Sequence, residues 1–388
     1  MSDGIVIAGG GLAGQRCAEA LRRRGYEGAL RIVCAEPHRP YDRPPLSKEM
    51  LVGDYPRDSL HYRVPGWYEE RSIELLVGTA ATSLSLAERR VGLSDGGTLR
   101  FDQLLIATGA VTRRLPVLDG FENVSTLRTV EDAERLRAVI AERRRLTIVG
   151  AGFVGQEVAA SARALGAPVT MIEAGPAPLL RILGEQVGGW FAHLHRSEGV
   201  EVITGTTVRG VQAAGGRAVA LELSTGEAVG TDHVLVAAGV APDTSWLAGS
   251  GLDAGPGVPV DAGGRTGVDG VYAAGDAAAT VDPLAGTRVP GSHWEAAGRQ
   301  GARVASAMLG QATGEPSLAS FWTDQYGIRI QHLGRASLAD AVSIDGDPAT
   351  RDFTATFTSS GRPVAVLLVG RPRDLPQARQ MIVNGAPS

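Results

Sequence analysis

The chain has 388 residues, 44% apolar and 21% charged, with a formal net charge of −4. That length suits two or three domains, and that composition excludes wholesale disorder. Scattered charge of both signs excludes the basic field of a nucleic-acid binder, and no apolar run reaches the roughly 18 residues of a membrane span, so neither partner is expected. Cys17 and Cys34 are the two cysteines and form no CxxC pair, which excludes a disulfide scaffold and a structural zinc site; no metal is expected. The first residues run straight into Gly4-Ile5-Val6-Ile7 without the pattern of a secretory leader, so a cytoplasmic location is expected. Glycine is abundant, at 52 residues. That is about twice the usual share and predicts many tight turns.

The chain opens on a β-α-β pattern. Ile5–Ala8 has the length and apolarity of a strand, and Gly9, Gly11 and Gly14 form G-x-G-x-x-G, with Leu12 and Ala13 between them. A helical pattern follows and stops at Gly25. The strand Leu30–Cys34 then leads to Glu36, 22 residues after Gly14. Glycines at this spacing let backbone amides approach a pyrophosphate at a helix N-terminus, and an acid after the second strand accepts hydrogen bonds from a ribose. The next stretch, Tyr41–Met50, contains Lys48, the single lysine among 38 basic residues. Pro44 and Pro45 stiffen the backbone before it, and Ser47 is placed to cap a short helix. Lysine is a compact charge on a flexible stem where arginine is a planar fork, so a position against a flat ring accepts the first and excludes the second. A solvated surface lysine is the plain alternative.

Phe101–Ala110 reads as a strand ending in Ala107-Thr108-Gly109. The opening pattern then repeats. Strand Leu146–Val149 precedes Gly150, Gly152 and Gly155, with Phe153 and Val154 inside the motif; a helix, the strand Val169–Ile172 and Glu173 follow, the acid 18 residues after Gly155. Two complete fingerprints imply two dinucleotide sites. A further apolar strand ends at Ala238-Gly239, and Gly270–Ala279 holds a strand ending at Gly275-Asp276. The order of these signals describes a flavoprotein with two dinucleotide-binding domains, the second inserted in the first. Near the C-terminus, strands flank a Ser359-Ser360-Gly361 turn and a short helix follows, as in a small α+β unit.

With these residues in view, the sequence resembles the pyridine-nucleotide-dependent ferredoxin reductases, FAD flavoproteins that feed aromatic-ring dioxygenases and bacterial cytochromes P450. The most specific stretches are Pro40–Lys48, Gly150–Glu157, His293–Gly301, Phe321–Gly327 and Gly370–Ile382, and the resemblance covers essentially the whole chain. It implies an α/β fold of two Rossmann-like domains, glutathione-reductase-like, with a small α+β C-terminal domain. The expected division is an FAD-binding domain of residues 1–110 and 242–315, an NAD-binding domain of residues 111–241, and a C-terminal interface domain of residues 316–388.

The resemblance further implies FAD over Gly9–Gly14, its ribose at Glu36, with Arg43, Ala81, Ala107–Gly109, Arg128, Gly275, Asp276, His293, Trp294 and Trp322 around it. NADH would bind the second fold at Gly150–Gly155, Glu173, Arg181, Ala238 and Gly239. Glu173 suits the free ribose hydroxyls of NAD and repels the 2′-phosphate of NADP, which makes NADPH the weaker candidate. Lys48 would lie by the flavin's reactive edge and pair with Glu157 as an ion pair between the two domains; these two residues carry the expected catalytic role. An acidic 2Fe–2S ferredoxin is the implied partner, with Arg299, Arg303, Arg329 and Arg335 as docking candidates, and the protein is expected as a monomer or homodimer. Relatives often carry Glu where this chain has Ser292.

Other readings stay open on the same double fold. A disulfide reductase would need a redox cysteine in the Pro40–Leu51 segment, which has none. Cys17 and Cys34 read as small buried residues. An NADH oxidase or other-acceptor flavin reductase, or a non-catalytic NADH-binding signalling flavoprotein, are the alternatives.

Overall fold

The computed structural model describes every residue except 1–2, 54, 292, 315–317 and 386–388. Ser292 and the start of the expected C-terminal domain at Pro316 thus lie outside the described residues. The chain divides into two compact units. One comprises Met1–Asp42, Arg57–Val111 and Ala241–Phe321; the other comprises Arg43–Pro56, Thr112–Val240 and Trp322–Ser388.

The first unit is built on a five-stranded parallel sheet. Its order is Val271–Ala273, Gln103–Ile106, Ile5–Ala8, Leu30–Cys34, Ile73–Val77. The central strand Ile5–Ala8 is buried throughout, as a strand covered on both faces must be. On one face the helices Leu12–Arg23 and Trp294–Met308 pack together. They approach closely because Gly301 faces Ala13, where any Cβ would collide with the Ala13 carbonyl. The helix ends where Gly25 takes φ +86° and its N–H caps the carbonyl of Arg22. The other face packs against a core that includes Leu84, Val91 and Leu93 of a three-stranded antiparallel sheet, with Trp246 and Val258.

The second unit repeats the pattern with a parallel sheet in the order Glu201–Thr204, Val169–Glu173, Leu146–Val149, His233–Val236, Val124–Ser125. Helix Phe153–Ala164 packs on it, and helix Leu180–Ser197 bends at Gly184, which takes φ +73°. A five-stranded sheet follows in the order Ser320–Gln325, Ile328–Gly334, Arg362–Val369, Asp352–Ser359, Ala341–Asp347. The hairpin expected around Ser360-Gly361 is present, and the helix Leu375–Gly385 covers this sheet. Trp190 ties the sheet to helix Leu180–Ser197: its ring meets Phe353 edge-on at 5.0 Å, and its Nε1–H donates to the Pro348 carbonyl at 3.0 Å.

The segment carrying Lys48 was expected in the first domain and belongs instead to the second unit. Its turn Pro44–Ser47 and short helix Glu49–Val52 pack against helices Val130–Ala141 and Phe153–Ala164. No described helix is long and apolar enough to cross a membrane.

Candidate dinucleotide sites and the Lys48 ion pair

The two glycine-rich loops adopt one geometry. Gly9 and Gly150 take φ +123° and +112°, and a Cβ at either would collide with the carbonyl of Ala107 or Ala237. Gly14 and Gly155 each face the carbonyl of the first glycine in their own loop so closely that a Cβ does not fit. Gly11 and Gly152, the N-cap residues, have open space where a Cβ would stand. Neither helix has a side-chain cap on its first amides. Such a terminus, with its positive dipole end and no capping side chain, suits a pyrophosphate. Leu12, Ala13, Phe153 and Val154 form the first helical residues above the two loops.

Ala107 stands against Gly9, and Gly275 against Ala13, in the first loop. Ala107 N–H donates to the Ala8 carbonyl at 2.8 Å, and Thr108 Oγ1 donates to the Asp243 carbonyl at 2.6 Å. Gly109 takes φ +80°, where its carbonyl accepts from Asp243. Gly275 takes φ +71° and lies against Ala13, its N–H bonded to Gln300 at 2.8 Å, with Asp276 next in the chain. Glu36 accepts a short hydrogen bond from the Tyr41 hydroxyl. His293 occupies the N-cap position of the helix that begins at Trp294, whose indole N–H donates to Asp42 at 2.5 Å. Ala81 opens a strand of the small antiparallel sheet. Both thiols in this unit are buried: burial pushes Cys17 up, and burial followed by the charge of Glu36 pushes Cys34 up to about 12. Neither is a nucleophile at neutral pH.

Around the second loop, Ala238 and Gly239 follow the strand His233–Val236 as Ala107–Gly109 follow theirs, and the Gly239 carbonyl accepts from Arg113. Glu173 is committed to the loop. Its Oε2 accepts from Ala151 N–H at 2.8 Å and its Oε1 from Gly175 N–H at 2.9 Å. Arg181 is exposed in the first turn of its helix. Arg43 donates to the Arg128 carbonyl at 2.5 Å; the Arg128 N–H is held by Asp132, part of a capping box with Thr129. Trp322 is half-buried with the Arg329 guanidinium over its ring at 5.9 Å.

Lys48 and Glu157 form the expected ion pair, Nζ to Oε2 at 2.8 Å, with side chains only 13% and 7% exposed. The pair lies within one unit and not between two domains, because the Lys48 segment packs on the helix that carries Glu157. Ser47 does not cap the short helix. Its hydroxyl donates instead to Glu157 Oε2 through a short bond, and its carbonyl accepts from Ser161 Oγ at 2.8 Å. Thr323 Oγ1 donates to Glu157 Oε1 at 2.8 Å. Both carboxylate oxygens are therefore bonded, as a buried charge requires. Ser47 and Thr323 sit inside motifs visible in the sequence, yet their partner is 110 or 166 residues away and carries no local signal. Asp324 beside them is pushed above its ordinary value by burial, against Arg329, at 2.8 Å, and Lys48.

The family can now be stated. Residues 3–301 match the pyridine nucleotide-disulphide oxidoreductase family, and residues 320–388 match the reductase C-terminal family. The chain belongs to the first by most of its length, and it is a ferredoxin reductase of that family, an enzyme of FAD and nicotinamide dinucleotide. It is 37% identical over 387 residues to the ferredoxin--NAD(+) reductase component of an anthranilate 1,2-dioxygenase system from Burkholderia cepacia, covering 99% of this chain and 95% of that one. It is 33% identical to putidaredoxin reductase of Pseudomonas putida, with 100% and 93% covered. Among solved structures, the covalent putidaredoxin reductase–putidaredoxin complex matches with a TM-score of 0.95 at 32% identity, covering 98% of this chain and 93% of that one.

Proposed function

We propose that the chain oxidises NADH and passes electrons singly to an acidic 2Fe–2S ferredoxin that serves an aromatic-ring dioxygenase or a cytochrome P450, in the cytoplasm. The buried Lys48–Glu157 pair carries this reading. The proposed FAD residues fit the group: Gly9 and Gly14 allow the tight turn, Gly11 leaves open space at the helix N-terminus for a pyrophosphate, and Glu36 follows the second strand for a ribose. FAD, when bound, supplies the conversion of a two-electron donor into one-electron outputs.

The protein's share is positioning and electrostatics. Lys48 holds a compact positive charge for the side of the site where negative charge grows. Glu157 offsets the desolvation of that ammonium, and the Ser47 and Thr323 hydroxyls fix the carboxylate so that the ammonium is aimed. Gly150–Gly155 would take the nicotinamide dinucleotide, and Glu173 at the strand end favours NADH over NADPH by charge. With Cys17 and Cys34 both buried and their thiols held protonated, thiol chemistry has no group to use.

Stopped-flow reduction tests this directly. Lys48→Ala is expected to slow bleaching of the flavin by NADH by about a hundredfold. An unchanged rate together with an unchanged flavin potential rejects the role. For the partner, Arg299, Arg303, Arg329 and Arg335 are the proposed contacts, and Arg299 and Arg329 are already paired with Glu295 and Asp324. The ferredoxin-dependent rate is expected to fall steeply with salt while reduction of small acceptors holds, since steering is screened.

A further inference from the structure

We infer that Tyr326 and His195 are positioning residues for the nicotinamide dinucleotide, acting on the Gly150–Gly155 loop through Gln156. The inference rests on the reading that this loop is the nicotinamide site.

His195 lies on the apolar face of helix Leu180–Ser197, among buried Leu183, Val187, Phe191 and Leu194, and is itself fully buried. An imidazole in such a place is costly unless both nitrogens are bonded, and both are. Nδ1 meets the Tyr326 hydroxyl at 2.7 Å, and Nε2 meets Gln156 Oε1 at 3.2 Å. The Gln156 amide nitrogen is committed to the Ala151 carbonyl at 2.9 Å. Its oxygen therefore faces His195, which fixes the proton on Nε2 and leaves Nδ1 to accept from the tyrosine. Donors thus run one way, from Tyr326 to His195 to Gln156 to the carbonyl of Ala151.

Ala151 stands between Gly150 and Gly152, fully buried in the loop. Its N–H is held by Glu173 and its carbonyl by Gln156, so the peptide units on both sides of it are clamped. Two flanking glycines otherwise leave this backbone free, and fixing it is an entropic cost that binding would have to supply. The other end of the chain is also built for the purpose. Tyr326 occupies the turn between strands Ser320–Gln325 and Ile328–Gly334 at φ +53°, a conformation a bulky residue rarely adopts. The same strand carries Thr323 to Glu157.

The first fold shows that the clamp is not generic. Gln15 occupies the position after the third glycine as Gln156 does, and Tyr68 Oη donates to its oxygen at 2.7 Å. Its nitrogen turns away from the loop to Glu19, at 2.8 Å.

The test is calorimetric titration of NAD⁺ into the FAD-loaded protein, with NADH kinetics alongside. Tyr326→Phe, which removes one hydrogen bond, and Gln156→Leu, which removes two, are each expected to raise the NAD⁺ Kd and the NADH KM by at least about threefold to tenfold. The saturated kcat should stay within about twofold, and the double variant should be no worse than the worse single one. Tyr68→Phe should leave the NAD⁺ Kd unchanged. A wild-type Kd in Tyr326→Phe, or effects that multiply in the double variant, overturns the inference. Glu173→Ala separates the two levels: if it too leaves NAD⁺ binding intact, the assignment of the second fold to the nicotinamide fails; if it weakens binding while Tyr326→Phe does not, only the relay fails.

Discussion

The two glycine-rich folds share the geometry of their loops and differ in what the next two residues reach. After Gly14 come Gln15 and Arg16; after Gly155 come Gln156 and Glu157. Arg16 is part-exposed and pairs with Glu19 on its own helix at 2.7 Å. Glu157 is buried and reaches Lys48, Ser47 and Thr323 from distant parts of the chain. The first fold closes on itself, with Glu19 gathering Arg16, Arg63 and Gln15. The second turns the same two positions outward to the Lys48 segment and the C-terminal sheet. What is repeated is the cradle for a pyrophosphate. What differs is the chemistry each cradle serves.

The difference can be broken deliberately. Glu157→Arg, which gives the second fold the residue of the first, places an unpaired cation beside Lys48 and is expected to cost about 3–5 kcal/mol in denaturant unfolding. Arg16→Gln is expected to cost less than about 1 kcal/mol, because its pair is part-exposed. Equal losses would mean that the two helices do not differ as described.

Gly14→Ala and Gly155→Ala insert a methyl against the carbonyls of Gly9 and Gly150 and should each cost about 1–3 kcal/mol. Their functional effects should separate: Gly14→Ala loses bound FAD, read from the flavin absorbance, while Gly155→Ala keeps FAD and weakens NADH.

Acid should act on the second unit through its histidines. Burial lowers His195 to about 4, and burial with the Arg217 charge lowers His233 to about 4. The folded state holds each ring neutral, so the stabilisation is complete above the ordinary value of about 6.5 and is lost as pH falls towards 4. His195→Leu should flatten that slope by about 2 kcal/mol between pH 6.5 and 4, read from unfolding midpoints. The smallest effect is expected at Arg145, whose hydrogen bond lowers Asp232 to about 2. Arg145→Ala should cost less than about 1 kcal/mol at neutral pH, less still in high salt, because Arg145 is exposed.

Much of this was legible in the chain. Strands Ile5–Ala8, Leu30–Cys34 and Leu146–Val149 lie where apolar runs and glycines put them, because a parallel strand covered on both faces needs an unbroken apolar run. The repeated spacing of glycines fixed both loops, since only glycine clears the Ala107 and Ala237 carbonyls. The single lysine was conspicuous against so many arginines. Tertiary structure decided the rest. It moved the Lys48 segment into the second unit, turned Ser47 from a helix cap into a partner of Glu157, and brought Thr323 to the same carboxylate. It also made a relay of Tyr326, His195 and Gln156, three residues spread over 170 positions. A lone histidine on an apolar helix face gives no sign of what it bonds. Periodicity reports which side of an element is buried, and only packing reports what waits there.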